Sequence, residues 1–421
     1  MATSHLADYR PFGSFFLIAG GVQILLALAL FVFPLRRLLA WAVAVNLSAV
    51  AVWTLSRTIG LPVGPVHWQP LAMGLTGLIV VGMELIAVML WVLMLLRPHP
   101  RRTPRFVTAL LLVPSVALTA GLGLIGAFGQ TNDARWPELT AVLPAGRMAS
   151  VTYCTPGRVA LAMDVYEPPA ETVRPAPAVL YVHGGGWVMG TRKGGGIGGL
   201  LAGHEAALFP ELRDALTARG FVVATIDYRP ASYYPWPAQI EDAKCAVRFM
   251  RAHAAALGID PDRIGAWGSS AGGNLVSLLA TAGPEAGFDV GEYPGQSSRV
   301  QAVVDMFGPT DLLDTSDSDT FARVIMRLVL GNSPAKRRSA SPVDYVASGD
   351  PPFLILHGAK DTTIPPRHSQ ELAQRLAAVG TPVDLVLVKG AAHELNAPGE
   401  EPSAAELVKR VTDFFVRTLG R

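Results

Sequence analysis

The sequence predicts an α/β fold, a mostly parallel sheet with helices on both faces, preceded by a four-helix transmembrane segment. Four apolar runs fill the first 130 residues, each near the ~20 residues that a helix needs to cross a hydrocarbon core. Beyond residue 150, short β-branched runs alternate with helix-length amphipathic ones, the pattern of a parallel sheet covered on both faces. Charge divides the chain in the same way. Only 16% of the 421 residues are charged, against about 25% in a soluble domain. Residues 1–130 hold eight arginines, no lysine and only Asp8 and Glu84, a net charge of +6. That leaves 27 basic against 31 acidic side chains, net −4, for residues 131–421. A weakly acidic second half argues against nucleic acid, which demands a concentrated basic surface.

The apolar runs cover roughly residues 12–33, 38–56, 71–96 and 106–128. In lipid a helix satisfies its own backbone polar groups, so these read as spanning helices. A cleaved signal peptide has one short apolar run, whereas four runs make an integral anchor. Glu84 falls inside the third run. A carboxyl at that depth is either a functional group or a protonated donor that bonds a neighbouring helix. Arginines near helix ends mark the cytoplasmic side. Arg36 and Arg37 follow the first helix, and Arg97, Arg101, Arg102 and Arg105 follow the third; Arg10, Arg57 and Arg135 fall on the other face. Six against three puts the first and third loops in the cytoplasm and residues 131–421 on the extracytoplasmic side.

A linker over residues 131–149, with Pro137 and Pro144, leads into the domain at 150–421. Strands are expected near 159–166, 178–182, 221–226, 263–267, 301–305, 353–357 and 383–388, and helices near 238–257, 271–281, 366–379 and 403–418. The first runs, near 150–166, have no helix between them and should pair antiparallel. Segments near 188–215 and 312–350 interrupt the alternation and are expected as caps over the site. Cys154 and Cys245 are too few for a disulfide framework or a cysteine-rich metal site. Cys245 falls on the apolar face of the helix at 238–257, as a core side chain.

Chemistry gathers at four strand ends. The strand at 263–267 runs into Gly268, Ser269, Ser270, Ala271 and Gly272, and a helical run follows. This is Gly-x-Ser-x-Gly in a strand–turn–helix context, where a strained turn lifts a serine to a helix N-terminus. The strand at 178–182 ends in His183, Gly184, Gly185, Gly186 and Trp187, whose backbone N–H groups can point at a substrate oxyanion. The N–H of Ala271 completes that set. Gly-x-x-x-x-Gly-Lys-Ser/Thr is absent, which argues against a phosphate loop. The strand near 353–357 leads to Asp361, and the strand at 383–388 leads to His393. A nucleophile, an acid and a base in the order Ser270, Asp361, His393 make a catalytic triad. Asp305 and Asp311, which flank Phe307, Gly308 and Pro309, are the rival acids. His183 and His357 are read as loop braces, His253 and His368 as solvated side chains on helix faces. Trp187, Tyr233, Tyr234 and Trp236 are candidates for an apolar acyl pocket or, equally, for core packing.

With these motifs in place, residues from about 150 to 421 resemble the α/β-hydrolase superfamily. The run at 183–187 is similar to hormone-sensitive-lipase-like esterases, and those at 268–272 and 357–365 to the feruloyl-esterase-like branch. Joined to a membrane anchor, the domain resembles bacterial membrane carboxylesterases of the Lip type. The resemblance implies Ser270 as nucleophile, Asp361 as acid, His393 as base, and an oxyanion hole from Gly184, Gly185 and Ala271. An apolar pocket of the four aromatic candidates predicts short-to-medium acyl esters as substrates, the anchor points to lipid or cell-envelope esters, and an acyl-enzyme route needs no cofactor and no metal. A membrane-bound acyltransferase using the same acyl-enzyme, a peptidase of the same fold, and a non-catalytic membrane sensor or adhesion module stand as alternatives.

Overall fold

A computed structural model describes residues 148–193 and 208–420, together with six scattered positions (43, 44, 47, 51, 89 and 92). Apart from those six positions, the four apolar runs lie outside the described residues, as do Glu84 and most of the linker. Among the described residues no helix is long and apolar enough to cross a membrane. The chain divides into two compact units, Met1–Ala134 and Arg135–Arg421.

The second unit is built on one eight-stranded sheet in the order β1-β2-β4-β3-β5-β6-β7-β8. β1 (Met148–Cys154) and β2 (Leu161–Tyr166) pair antiparallel, as expected for runs with no helix between them, and β2 also runs antiparallel to β4 (Val222–Ile226). From β4 onward all neighbours are parallel: β3 (Ala176–Val182), β5 (Ile259–Ser269), β6 (Ala302–Met306), β7 (Phe353–Gly358) and β8 (Val383–Val388). The central strands are buried on both faces and read as near-continuous apolar runs such as Ala178 to Val182. Two apolar clusters result, one on each side of the sheet. One joins Leu180, Val182, Ile264 and Ala266 to Ile240, Val247, Leu275 and Leu372; the other joins Val179, Tyr181, Val304 and Leu356 to Phe209, Leu212, Val411 and Phe415.

Three expectations need correction. The segment near 188–215 is not all cap: its second part opens α1 (Leu208–Ala218), the crossover helix between β3 and β4. Leu208, Phe209, Leu212 and Leu216 form its buried stripe, a helical spacing that the preceding glycine run and Pro210 obscured. The helix expected at 238–257 breaks at His253 into α2 (Ala238–Ala252) and α3 (Ala254–Leu257). Cys154 and Cys245 are joined in a disulfide, 91 residues apart in sequence, which ties edge strand β1 to α2. Both are buried, so the core environment expected for Cys245 holds, but as half of a cross-link.

The remaining helices are α4 (Ala271–Thr281), α5 (Thr320–Leu330), α6 (Pro334–Ser339), α7 (Arg367–Ala378) and α8 (Ala404–Leu419). α5 and α6 lie within the expected cap at 312–350. α8 opens with a reciprocal capping box between Ser403 and Glu406.

Candidate active site

The four chemistry-bearing turns, after β3, β5, β7 and β8, leave the same end of the sheet, the carboxyl ends of parallel strands, where ligands gather in open α/β sheets. At the end of β5 the chain turns sharply into α4. Ser270 carries φ 54° and ψ −120° there, a conformation that costs a non-glycine residue of order 1–3 kcal/mol. Two glycines make the turn possible. A Cβ on Gly272 would come 2.0 Å from the Val182 carbonyl oxygen, and one on Gly268 would come 2.4 Å from the Gly272 carbonyl oxygen. The elbow is thereby pressed against the end of β3, where the loop of Gly184 and Gly185 begins.

Ser270 Oγ stands 3.0 Å from His393 Nε2, and His393 Nδ1 stands 2.6 Å from Asp361 Oδ2. Residues 123 and 32 positions apart are brought into one line. With its proton on Nδ1, His393 donates to Asp361 and its Nε2 accepts from the Ser270 hydroxyl. Asp361 is buried, and its Oδ1 accepts the N–H groups of Thr363 and Ile364, each at 2.9 Å. Burial alone would raise its pKa, but hydrogen bonds from His357 and His393 outweigh it and hold the carboxyl at about 2. The Phe307 ring packs on the His393 imidazole edge-on, with centroids 4.8 Å apart.

The rival acids are engaged elsewhere. Asp305 accepts from Gly308 N–H at 2.9 Å beneath α4, and burial raises its pKa to about 6. Asp311 accepts from Leu313 N–H. His183 braces the loop after β3 as expected. Its ring stacks on Tyr228 at 4.2 Å and its Nδ1 meets the Gly184 carbonyl at 2.7 Å, while burial lowers its pKa. Gly185 has φ 103°. Among the described residues, the N–H groups of Gly184, Gly185 and Ala271 donate to no backbone carbonyl of the turns and loops.

The aromatic candidates divide. Trp187 and Trp236 are core residues, and Trp236 donates its indole N–H to Ser339 Oγ at 2.9 Å. Tyr233 and Tyr234 are half-buried, and the Arg229 guanidinium lies over the Tyr234 ring. None of the four enters the hydrogen-bonded line at Ser270. His368, expected in solvent, is fully buried. Its Nδ1 accepts the N–H groups of Thr310 and Asp311 at the root of the cap, and burial lowers its pKa to about 4.

Two features had no signal in the sequence. Arg192 is buried between Asp164 on β2 and Asp227 after β4, at 2.7 and 2.5 Å, and fixes the chain that follows the glycine loop. His357 reaches Asp361 as well as bracing its own turn; the strand-end position at His357 was visible, the contact was not.

A family model, BD-FAE, matches residues 163–376, just over half of the chain. The chain belongs to the BD-FAE family. That span includes Ser270 and Asp361, and His393 lies beyond it. The chain is 32% identical to Esterase LipC of Mycobacterium tuberculosis over 238 residues, which are 55% of this chain and 56% of that protein. It is 28% identical to Esterase LipQ of the same organism over 284 residues, 66% of this chain and 64% of the relative. The matches thus span between half and two thirds of these relatives' own length. Among solved structures, a thermophilic esterase of the Planctomycete Thermogutta terrifontis, with propionate bound, superposes with a TM-score of 0.53 at 26% identity, covering 68% of this chain and 96% of that one. A truncated carbohydrate esterase from gut microbiota gives the same TM-score and identity, covering 67% of this chain and all of the other. These likenesses support a carboxylic ester hydrolase.

Proposed function

We propose that the chain is a membrane-anchored serine carboxylesterase acting on short-to-medium acyl esters. The observation that carries the reading is the hydrogen-bonded line from Asp361 through His393 to Ser270. Ser270 Oγ attacks the ester carbonyl carbon as His393 Nε2 takes its proton. The carbonyl π-electrons move onto oxygen, and the N–H groups of Gly184, Gly185 and Ala271 stabilise that oxyanion. Collapse re-forms the carbonyl and breaks the bond to the alcohol oxygen, which leaves with the proton from His393. Water then repeats the sequence: its oxygen bonds the acyl carbon as His393 takes its proton, His393 returns that proton to Ser270 Oγ as the acyl–Ser270 bond breaks, and a carboxylic acid is released. Asp361 stays ionised throughout, which its depressed pKa favours. The test is Ser270→Ala in the full chain. Ester hydrolysis and labelling by a fluorophosphonate should both vanish with the fold intact, and unchanged turnover overturns the reading.

The anchor and the extracytoplasmic placement of the catalytic unit belong to the same proposal. They rest on the four apolar runs, the six-to-three arginine count and the Cys154–Cys245 bond. Disulfides persist in oxidising compartments and are rare in the cytosol. An esterase held there meets lipid and cell-envelope esters. A C-terminal alkaline phosphatase fusion should be active and a green fluorescent protein fusion dark; the reverse pattern places the domain in the cytoplasm.

A further inference from the structure

The cap helix α5 has two apolar faces. One buries Ala322, Met326, Val329 and Leu330 against the domain. The other presents Phe321, Val324 and Leu328 to solvent, 65%, 49% and 45% exposed. Their spacing of three and four residues puts them in one row along the helix. A surface helix normally carries polar side chains there, and exposed apolar rows mark interaction sites.

Along the two cap helices the charges are all positive; the aspartates that precede α5 are engaged, Asp314 and Asp317 with Arg367 and Asp319 as the helix cap. Residues 320–339, through α5 and α6, contain Arg323, Arg327, Lys336, Arg337 and Arg338 and no Asp or Glu. Arg323 and Arg327 are one turn apart, between the exposed row and the buried face. Among the described residues no ion pair involves Arg323, Arg327 or Lys336, although the unit as a whole is weakly acidic. An apolar row flanked by unneutralised cations is the composition of a helix that lies in a lipid interface. It is also complementary to anionic headgroups, near which each basic side chain gains about 1 kcal/mol.

α5 is tied to the catalytic machinery from two sides. A Cβ on Gly186 would come 2.8 Å from Ile325 Cγ2, so the helix roofs the glycine loop. Asp319 caps the helix by accepting from Ala322 N–H at 2.8 Å, and its other carboxylate oxygen accepts from the Thr363 hydroxyl at 2.8 Å, two residues beyond Asp361.

We infer that α5, with Phe321, Val324 and Leu328 inserted and Arg323 and Arg327 at the headgroups, is a docking surface for an anionic lipid bilayer. The surface goes beyond ester hydrolysis and stands independently of it, since it needs neither the triad nor turnover. The test uses the full chain in vesicles of phosphatidylcholine alone or mixed with phosphatidylglycerol. The native cysteines are paired, so Leu328→Cys is the one free thiol for an environment-sensitive fluorophore. A second preparation carries the label at Val173→Cys, on an 85% exposed turn before β3. In vesicles containing phosphatidylglycerol the Leu328 label should shift to the blue and be quenched by acyl-chain nitroxides, and high salt should reverse both. Arg323→Gln and Arg327→Gln should each lower the docked-to-undocked ratio about fivefold, while the Val173 label stays wet throughout. A Leu328 label as wet as the Val173 label, equal quenching in neutral vesicles, or a blue shift that grows with protein-to-lipid ratio (a second copy covering the row) overturns the inference.

Discussion

His357 and His393 grip Asp361 from two directions. His357 Nε2 stands 3.3 Å from the same Oδ2 that His393 Nδ1 meets at 2.6 Å. His357 is fully buried, with Nδ1 at 2.6 Å from Ser369 Oγ and Nε2 at 2.7 Å from the Ile364 carbonyl. A carbonyl only accepts, so the proton sits on Nε2 and Nδ1 accepts from the serine hydroxyl. That N–H is shared between Ile364 and Asp361, which makes His357 a positioning residue for the proposed acid.

Replacing it should therefore loosen Asp361 and not remove it. His357→Gln keeps a donor of similar reach, and His357→Leu leaves Asp361 with one fewer partner. Losing a hydrogen bond to a buried charged group costs about 1.5–3 kcal/mol. The leucine variant should lose roughly ten- to a hundredfold in kcat with KM unchanged, and the acid limb of its pH profile should move up. The glutamine variant should recover part of the loss. Equal kcat in wild type and His357→Leu would remove the residue from the machinery.

Asp361→Asn tests the acid itself. An amide there reverses the tautomer of His393, a change that costs about 10⁴ in kcat in other triads. Circular dichroism should stay that of the wild type, while Tm falls by a few degrees as the carboxylate's stabilising contribution is lost. A mild effect would return the role to a rival carboxylate.

Asp305→Asn should have the opposite profile. The buried carboxyl titrates at about 6, so at pH 8 the folded protein carries an unfavourable buried charge. Asparagine keeps an acceptor for Gly308 N–H and removes that charge. Thermal melts at pH 8 should show a higher Tm than the wild type, with turnover largely retained; a crippled enzyme would make Asp305 the acid.

The depressed pKa of Asp361 also sets a pH window for stability. The folded value, about 2, lies below the ordinary 3.8. Its contribution is thus fully present above about pH 4 and is lost as pH falls toward 2, of order 2 kcal/mol. Urea unfolding from pH 6 to pH 2.5 should show the wild type losing this increment relative to Asp361→Asn; parallel curves would contradict it.

Gly272→Ala probes the elbow's sterics. A Cβ would sit 2.0 Å from the Val182 oxygen and 2.6 Å from the His183 oxygen, both backbone atoms that cannot swing aside. The expected cost is above about 3 kcal/mol, with loss of activity. A folded, active alanine variant would show that β3 and the elbow do not meet so closely.

What the sequence disclosed follows from how local each constraint is. The elbow was legible because sterics admit only glycine at 268 and 272, and the strand ends at Asp361 and His393 because β-branched runs stop abruptly before them. Strand pairing of β1 with β2 followed from the missing helix. Contacts that join distant segments left no local trace. Nothing near Cys154 or Cys245 announces a partner 91 residues away, and Arg192 looks like any loop arginine until Asp164 and Asp227 surround it. His368 reads as solvated from its residue type, yet it shares the buried face of α7 with Leu372 and Leu376, and the cap root at Thr310 and Asp311 covers it.

The distance along the chain from Ser270 to His393 has a consequence for synthesis. β5 and its elbow leave the ribosome well before β8 and the loop that bears His393. A nascent or prematurely halted chain thus carries the serine without its base. On the proposed mechanism, a chain clipped just before β8 is a nucleophile-bearing scaffold without the base that activates it.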